Sequence, residues 1–226
     1  MSEFERKLSQ LKADLNTQGA RVSDQLLQAV ESSFDGDAKV AKKVVDGDAV
    51  IDRVDVEIER ACIDLLRLGA KDEHGIRSVL TIVKVNNELE RIADCAVIVA
   101  ESAINSEDLI SIAPPTFRVM ANSVVGMSRD TNHALSESST EMAIRVLSFD
   151  DTVSRFRKEI VLDVQQRISN GELDPLVAFE LLAVTKSLER VADHCTNICE
   201  QVIYLETGKI VRHLPDGWAA PEKPSF

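Results

Sequence analysis

The chain repeats itself. The segment LERIAD at 89–94 returns as LERVAD at 188–193, with a single Ile/Val exchange, and Glu101 returns as Glu200, all at an offset of 99 residues. Upstream, DAVIDRVDVEI at 48–58 matches DDTVSRFRKEI at 150–160 at an offset of 102, with Asp48/Asp150, Arg53/Arg155, Glu57/Glu159 and Ile58/Ile160 identical. The three-residue difference falls between the blocks, where insertions are tolerated in a surface loop. A duplicated unit of about 100 residues must bury one apolar face per element and then stack on its copy.

The apolar period within each unit is helical. Phe4, Leu8, Leu11 and Leu15 form one stripe, continued by Val22, Leu26 and Val30. Ser2 predicts the N-cap, with Glu3 and Glu5 in the first turn. SFDGD at 33–37 ends this helix, and a second runs from about Ala38 to Leu68, with Gly47 as a weak point inside it. After LGAKDEHG at 68–75, a third carries Ile76, Val79, Leu80, Val83, Leu89, Ile92 and Ala96. APP at 113–115 divides the chain, and a proline suits the first turn of a fourth helix, which runs to about Val146. A fifth spans Phe149 to Ile168 and is stopped by NGELDP, where Gly171 reads as a C-cap, Asp174 as an N-cap and Pro175 as N1. The sixth ends at Gly208. The expected fold is all-α: two tandem three-helix bundles, residues 1–112 and 113–213, followed by a Pro-rich, disordered tail over 214–226.

Composition narrows the function. Aromatics are only 4%, so Leu, Val, Ile and Ala must fill the core. With 26 basic and 38 acidic residues, the net charge is 26 − 38 = −12. That argues against nucleic acid, whose affinity rests on phosphate neutralisation, and there is no polybasic patch for an anionic membrane. Metal ions and other cationic partners suit it. The polar start MSEFERKLSQ shows no signal-peptide core, and no apolar run approaches the ~18 residues of a membrane span. The expectation is a cytoplasmic protein in which Cys62, Cys95, Cys195 and Cys199 are reduced.

The repeated segments place Glu90 with Asp94, and Glu189 with Asp193, at i,i+4. Like charges at that spacing destabilise a helix by about 0.2–0.5 kcal/mol. A single such pair is ordinarily a solvated helix face. Two copies at repeat-equivalent positions, with Asp48 and Asp150 recurring one helix earlier, raise a second reading. Asp48 also has Asp52 at i+4, where the second unit has Ser154. Carboxylates from neighbouring helices could then converge on a hard or borderline cation. Cys195 and Cys199 share a helix face but read best as small buried apolar residues, and His194 as polar surface. A di-iron enzyme would need Glu-x-x-His on facing helices, which is absent, as are a P-loop and a GxGxxG. No motif argues for catalysis.

LERIADCAVIVAE and LERVADHCTNICEQVIYLETGKIVRH resemble the PhoU family of phosphate-uptake regulators. The resemblance is strongest in the C-terminal block, with Leu-Glu-Arg-x-x-Asp-His, Asn197, Glu200 and the closing Thr-Gly. It implies two three-helix bundles side by side and multinuclear metal sites, iron or zinc in some members, held by E/D-x-x-x-D motifs. Carried over, Glu90 and Asp94 fall on one motif and Glu189 and Asp193 on the other, while Asp48, Asp52 and Asp150 match the acidic positions of the preceding helices. It further implies a negative regulator without catalysis. Such a protein is dimeric and touches the membrane only through its partners, the ATPase subunit of a phosphate ABC transporter and a sensor histidine kinase.

The chain departs from the family in places. AKDEHGIR replaces the stretch Gln-Pro-x-x-x-Asp-Leu-Arg, so Gly75 stands for the Asp and only Arg77 matches. The Asn after the second motif is Ile98 in the first unit, and Ser154 breaks the second acidic pair. Two alternatives stay open: a metal-free helical adaptor, and a relative that regulates another transporter.

Overall fold

A computed structural model describes residues 1–69, 72–105 and 109–211. The tail over 214–226 lies outside the described residues. Those described form eight helical segments and no strand: α1 (Glu3–Asp35), α2 (Ala38–Arg67), α3 (Glu73–Asn105), α4 (Leu109–Ile112), α5 (Pro115–Ser136), α6 (Thr140–Leu147), α7 (Asp150–Ser169) and α8 (Pro175–Thr207).

The helix ends follow local chemistry. Ser2 Oγ accepts from Glu5 N at 3.1 Å while the Glu5 carboxylate accepts from Ser2 N at 2.7 Å, a reciprocal capping box. Gly36 ends α1 at φ 66°, in the left-handed region that glycine enters without a Cβ penalty. Asp37 then caps α2 by accepting from Lys39 N and Val40 N. Asp174 caps α8 ahead of Pro175, and Gly208 closes it at φ 72°.

One expectation is revised. The single fourth helix to Val146 is two helices, α5 and α6, broken at Ser136–Ser139. Ser138 sits at φ 50°, Ser139 N–H returns to Ala134 O at 2.9 Å, and Ser139 Oγ caps α6 by accepting from Met142 N. The six long helices expected are thus joined by this break and by the single turn α4.

α1, α2 and α3 pack pairwise into one bundle, and α5, α6, α7 and α8 into a second. α3 lies along α8, and α1 along α5, so the two bundles share one core. Leu26, Ile51, Ile92, Ile160, Leu188 and Ile198 are among its fully buried members. Small residues let α1 approach α5: Ser23 and Ser128 hydroxyls meet at 2.9 Å, and a Cβ at Gly19 would collide with the Asn132 amide. At the far end, Arg77 and Lys84 of α3 lie over the Tyr204 ring of α8, at 5.9 and 5.7 Å from its centroid.

All four cysteines are buried free thiols. Burial pushes Cys62 up to about 11 and Cys195 up to about 12, and raises Cys199 further. Thiolate is the reactive form. Native protein should therefore resist a thiol reagent, whereas protein unfolded without reductant should titrate four groups. Two groups would contradict this structure.

Candidate metal centre

The repeat places equivalent acids on equivalent helices. Asp48 and Asp52 lie on α2, and Glu90 and Asp94 on α3. Asp150 lies on α7, and Glu189 and Asp193 on α8. In each motif the Leu points inward, Leu89 and Leu188 being buried, so the acids that follow are turned toward the bundle surface.

The structure brings the acids within electrostatic reach across each helix pair. Burial raises Asp48, and Asp52 and Asp94 raise it further against a hydrogen bond from Gln25. Burial, then Asp94, with Asp55 and Asp52 behind it, raises Glu90 against the charge of Arg91. In the second bundle, burial followed by Asp193, Asp151 and Glu189 raises Asp150, and burial followed by Glu189 raises Asp193. The two helix pairs therefore carry corresponding carboxylate groupings. Among the described residues, however, no three His, Cys, Asp or Glu side chains stand close enough together to hold one metal ion.

The two groupings differ in what neutralises them. In the second, Glu189 Oε2 accepts from Lys186 Nζ at 2.6 Å and pairs with Arg157 Nε at 3.0 Å. Arg157 occupies the repeat position of Asp55, and Lys186 that of Asn87. In the first, Arg91 is the basic neighbour, 3.3 Å from both Glu90 Oε2 and Asp94 Oδ2. Glu90 Oε2 is buried and makes no hydrogen bond. Hard oxygen donors, mutual repulsion and a buried oxygen answered by the 3.3 Å Arg91 pair without a hydrogen bond fit a cation at the first grouping. Asp48, Asp52, Glu90 and Asp94 are the residues that would hold it, by drawing their side chains together. The second grouping fits less well, because two basic side chains already hold Glu189.

A polar junction between the bundles was not legible in the sequence. His194 Nδ1 lies 2.7 Å from Glu88 Oε2, and Asn197 Nδ2 donates to the same oxygen at 3.0 Å. His194 is thus not simple surface but part of the α3–α8 contact. Burial alone would raise Glu88; the bonds to His194 and Asn197, with the charges of His194 and Arg91, outweigh it and lower the carboxyl. Only the offset gave a hint: Asn197 aligns with apolar Ile98 and His194 with Cys95, so the repeat does not impose this junction on both units.

The raised carboxyls make stability depend on pH in a defined direction. Asp48, Asp55, Glu90, Asp150 and Asp193 bind protons more tightly folded than unfolded. Their contribution is fully present below the unfolded value near 4 and lost as pH rises through the raised folded value. Glu88, lowered, works the other way, losing its contribution as pH falls through its folded value. With five groups against one, metal-free protein should keep more of this contribution just above pH 4 than at pH 7, and its urea midpoint should be higher there. Asp150→Asn should shrink that gain. A lower midpoint just above pH 4 than at pH 7 would contradict the electrostatic account.

The family model described as the PhoU domain matches residues 15–103 and again residues 117–202. The phosphate-specific transport system accessory protein PhoU homolog 1 of Thermotoga maritima is 33% identical over 216 residues, covering 95% of this chain and 93% of the relative. The accessory protein PhoU of Escherichia coli is 25% identical over 218 residues, covering 94% and 88%. The crystal structure of PhoU from Pseudomonas aeruginosa superposes with a TM-score of 0.85 at 26% identity, covering 92% of this chain and all of that one. With both halves matched by the same domain and similarity running the length of its relatives, this chain belongs to the PhoU family.

Proposed function

We propose that the chain is a non-catalytic regulator of phosphate uptake and phosphate-starvation signalling. It works in the cytoplasm as a homodimer and couples the ATPase subunit of a phosphate ABC transporter to a sensor histidine kinase. Membrane association is then indirect. Among the described residues no helix is long and apolar enough to cross a membrane. The observation that carries the reading is the 33% identity to a phosphate-specific transport system accessory protein over almost the whole chain.

In this reading the helical scaffold carries divalent or trivalent metal ions, with iron or zinc clusters as the family's precedent. The first centre uses Asp48, Asp52, Glu90 and Asp94, and the second Asp150, Glu189 and Asp193. A cation there would offset the repulsion among the acids and lock α2 against α3. The second reading, a metal-free adaptor, is favoured by one observation: Arg157 and Lys186 already neutralise Glu189. Elemental analysis of protein purified without a histidine tag separates the two.

An acidic helical surface should dock on a basic cytoplasmic face, with affinity that falls as salt screens it. Tagged protein incubated with a native membrane extract should recover a phosphate transporter ATPase and a histidine kinase at low salt, and less of both at high salt. Recovery of neither would remove the support for coupling.

A further inference from the structure

We propose that the cleft bounded by α2, α3 and α8 binds an organic cation, a guanidinium or ammonium group on an alkyl chain. The cleft measures about 610 Å³, and its walls include Asp55 and Glu59 of α2, Lys84, Asn86 and Glu88 of α3, and Gln201 of α8. None of Asp48, Asp52, Glu90 and Asp94 lines it.

Two buried acceptors point to a donor that the protein itself does not provide. Asn86 is 3% exposed and Gln201 8%. The Asn86 Nδ2 donates to Asp55 O at 3.0 Å and to Asp55 Oδ1 at 2.6 Å, which fixes the amide. Its Oδ1 is left without a hydrogen bond, as is Gln201 Oε1. Buried carbonyl oxygens without a donor are rare because each forfeits its water for nothing. Both residues line the cleft, beside its carboxylates.

Charge sets the sign of the ligand. Burial, and then the Glu59 carboxylate one turn along α2, raise Asp55, and Glu88 adds a third acid already held by His194 and Asn197. Lys84 is the basic side chain of the wall, and its ammonium lies over the Tyr204 ring. An anion would therefore be repelled.

Size and spacing set its class. No three ligating side chains among the described residues meet around one ion, and the cleft is many times the ~30 Å³ that one water occupies. A guanidinium offers five donors in a rigid fork, enough for a carboxylate and an amide oxygen together. The alkyl stem can lie on Val83, which also lines the cleft.

The test is calorimetric titration of the full chain, in the presence of chelator, with agmatine as the alkylguanidinium probe. One saturable site is expected. Glu59→Gln, at an exposed position, should weaken it several-fold, and Asp55→Asn about tenfold through loss of a charge-assisted bond. Glu137→Gln with Glu141→Gln, exposed acids far along the chain on α5–α6, should leave affinity within about twofold. A capped Gly-Gly-Arg-Gly-Gly peptide distinguishes the source: tighter binding of the peptide assigns the cleft to an arginine of a partner protein, and tighter binding of agmatine to a free small cation. Absence of saturable heat, equal weakening by the remote pair, or one-for-one displacement of agmatine by magnesium would overturn the proposal.

Discussion

Leu188→Ala should destabilise the chain by about 2–5 kcal/mol, the range for emptying a fully buried leucine site. Leu188 is 0% exposed and lies on α8, the helix that closes the second bundle and packs along α3. Truncation there removes contacts within the bundle and leaves a cavity that long rigid helices cannot collapse. For a chain of this size each kcal/mol lowers the melting temperature by roughly 2–4 °C, so a drop on the order of 10 °C is expected. Leu89, its repeat partner, is 5% exposed and should behave alike. Ile98→Ala, at 37% exposure on the same helix as Leu89, should cost well under half as much. Thermal melts of the three variants measure this. A Leu188→Ala cost below that of Ile98→Ala would mean that the repeated motif faces the other way, and that Glu189 and Asp193 are not where the structure puts them.

That orientation was legible because two independent signals agree. The helical period turns Leu89 and Leu188 inward, and the repeat demands that both units do so together. Helix ends were legible where a residue has one strong local role: Ser2 with Glu5, Gly36, Asp174 with Pro175, Gly208. The break at Ser136–Ser139 was not, since neither Gly nor Pro marks it. Ser138 adopts a positive φ that sequence rules reserve mainly for glycine, and the turn is held by a backbone bond to Ala134 and by the Ser139 cap. A stretch of serines gives only a weak signal for that geometry.

The acids were legible as a pattern but not as an electrostatic state. Sequence spacing places Glu90 and Asp94 on one helix face, and the repeat places Asp48 one helix away. It does not say which basic side chain answers them. The alignment at offset 102 sets Asp55 against Arg157, and the structure turns that exchange into a contact: Arg157 reaches Glu189, while Asp55 adds to the burden on Glu90. The duplicated unit has thus diverged in its basic partners: Arg91 lies between Glu90 and Asp94, whereas Arg157 and Lys186 both hold Glu189. The Glu88–His194–Asn197 junction spans more than 100 residues of sequence and has no counterpart at the repeat positions. Only three-dimensional packing of α3 on α8 produces it.

The divergence determines how the two groupings should respond to metal. In chelator, Glu90→Gln should be neutral or stabilising by a few tenths of a kcal/mol, because it removes one side of an i,i+4 repulsion. It also keeps the shape of the side chain, and the 3.3 Å ion pair with the half-exposed Arg91 that it gives up contributes little. With iron or zinc present, the same change removes a ligand and should destabilise. A ligand that binds only the folded state contributes RT ln(1 + [L]/Kd), about 2.7 kcal/mol at 100-fold excess over Kd. Loss of most of that reverses the sign of the mutation. Asp193→Asn should reverse in the same sense but by less, since Lys186 and Arg157 already satisfy Glu189 beside it. A solvated acidic face predicts no reversal at either position and the same small effect in both conditions. Melting curves of wild type, Glu90→Gln and Asp193→Asn, each with metal and with chelator, distinguish the cases. A larger reversal at Asp193 than at Glu90 would place the stronger site in the second bundle, against the charge distribution seen here. No reversal at all would leave the acids as a docking face, and the family's metal scaffold would not extend to this chain.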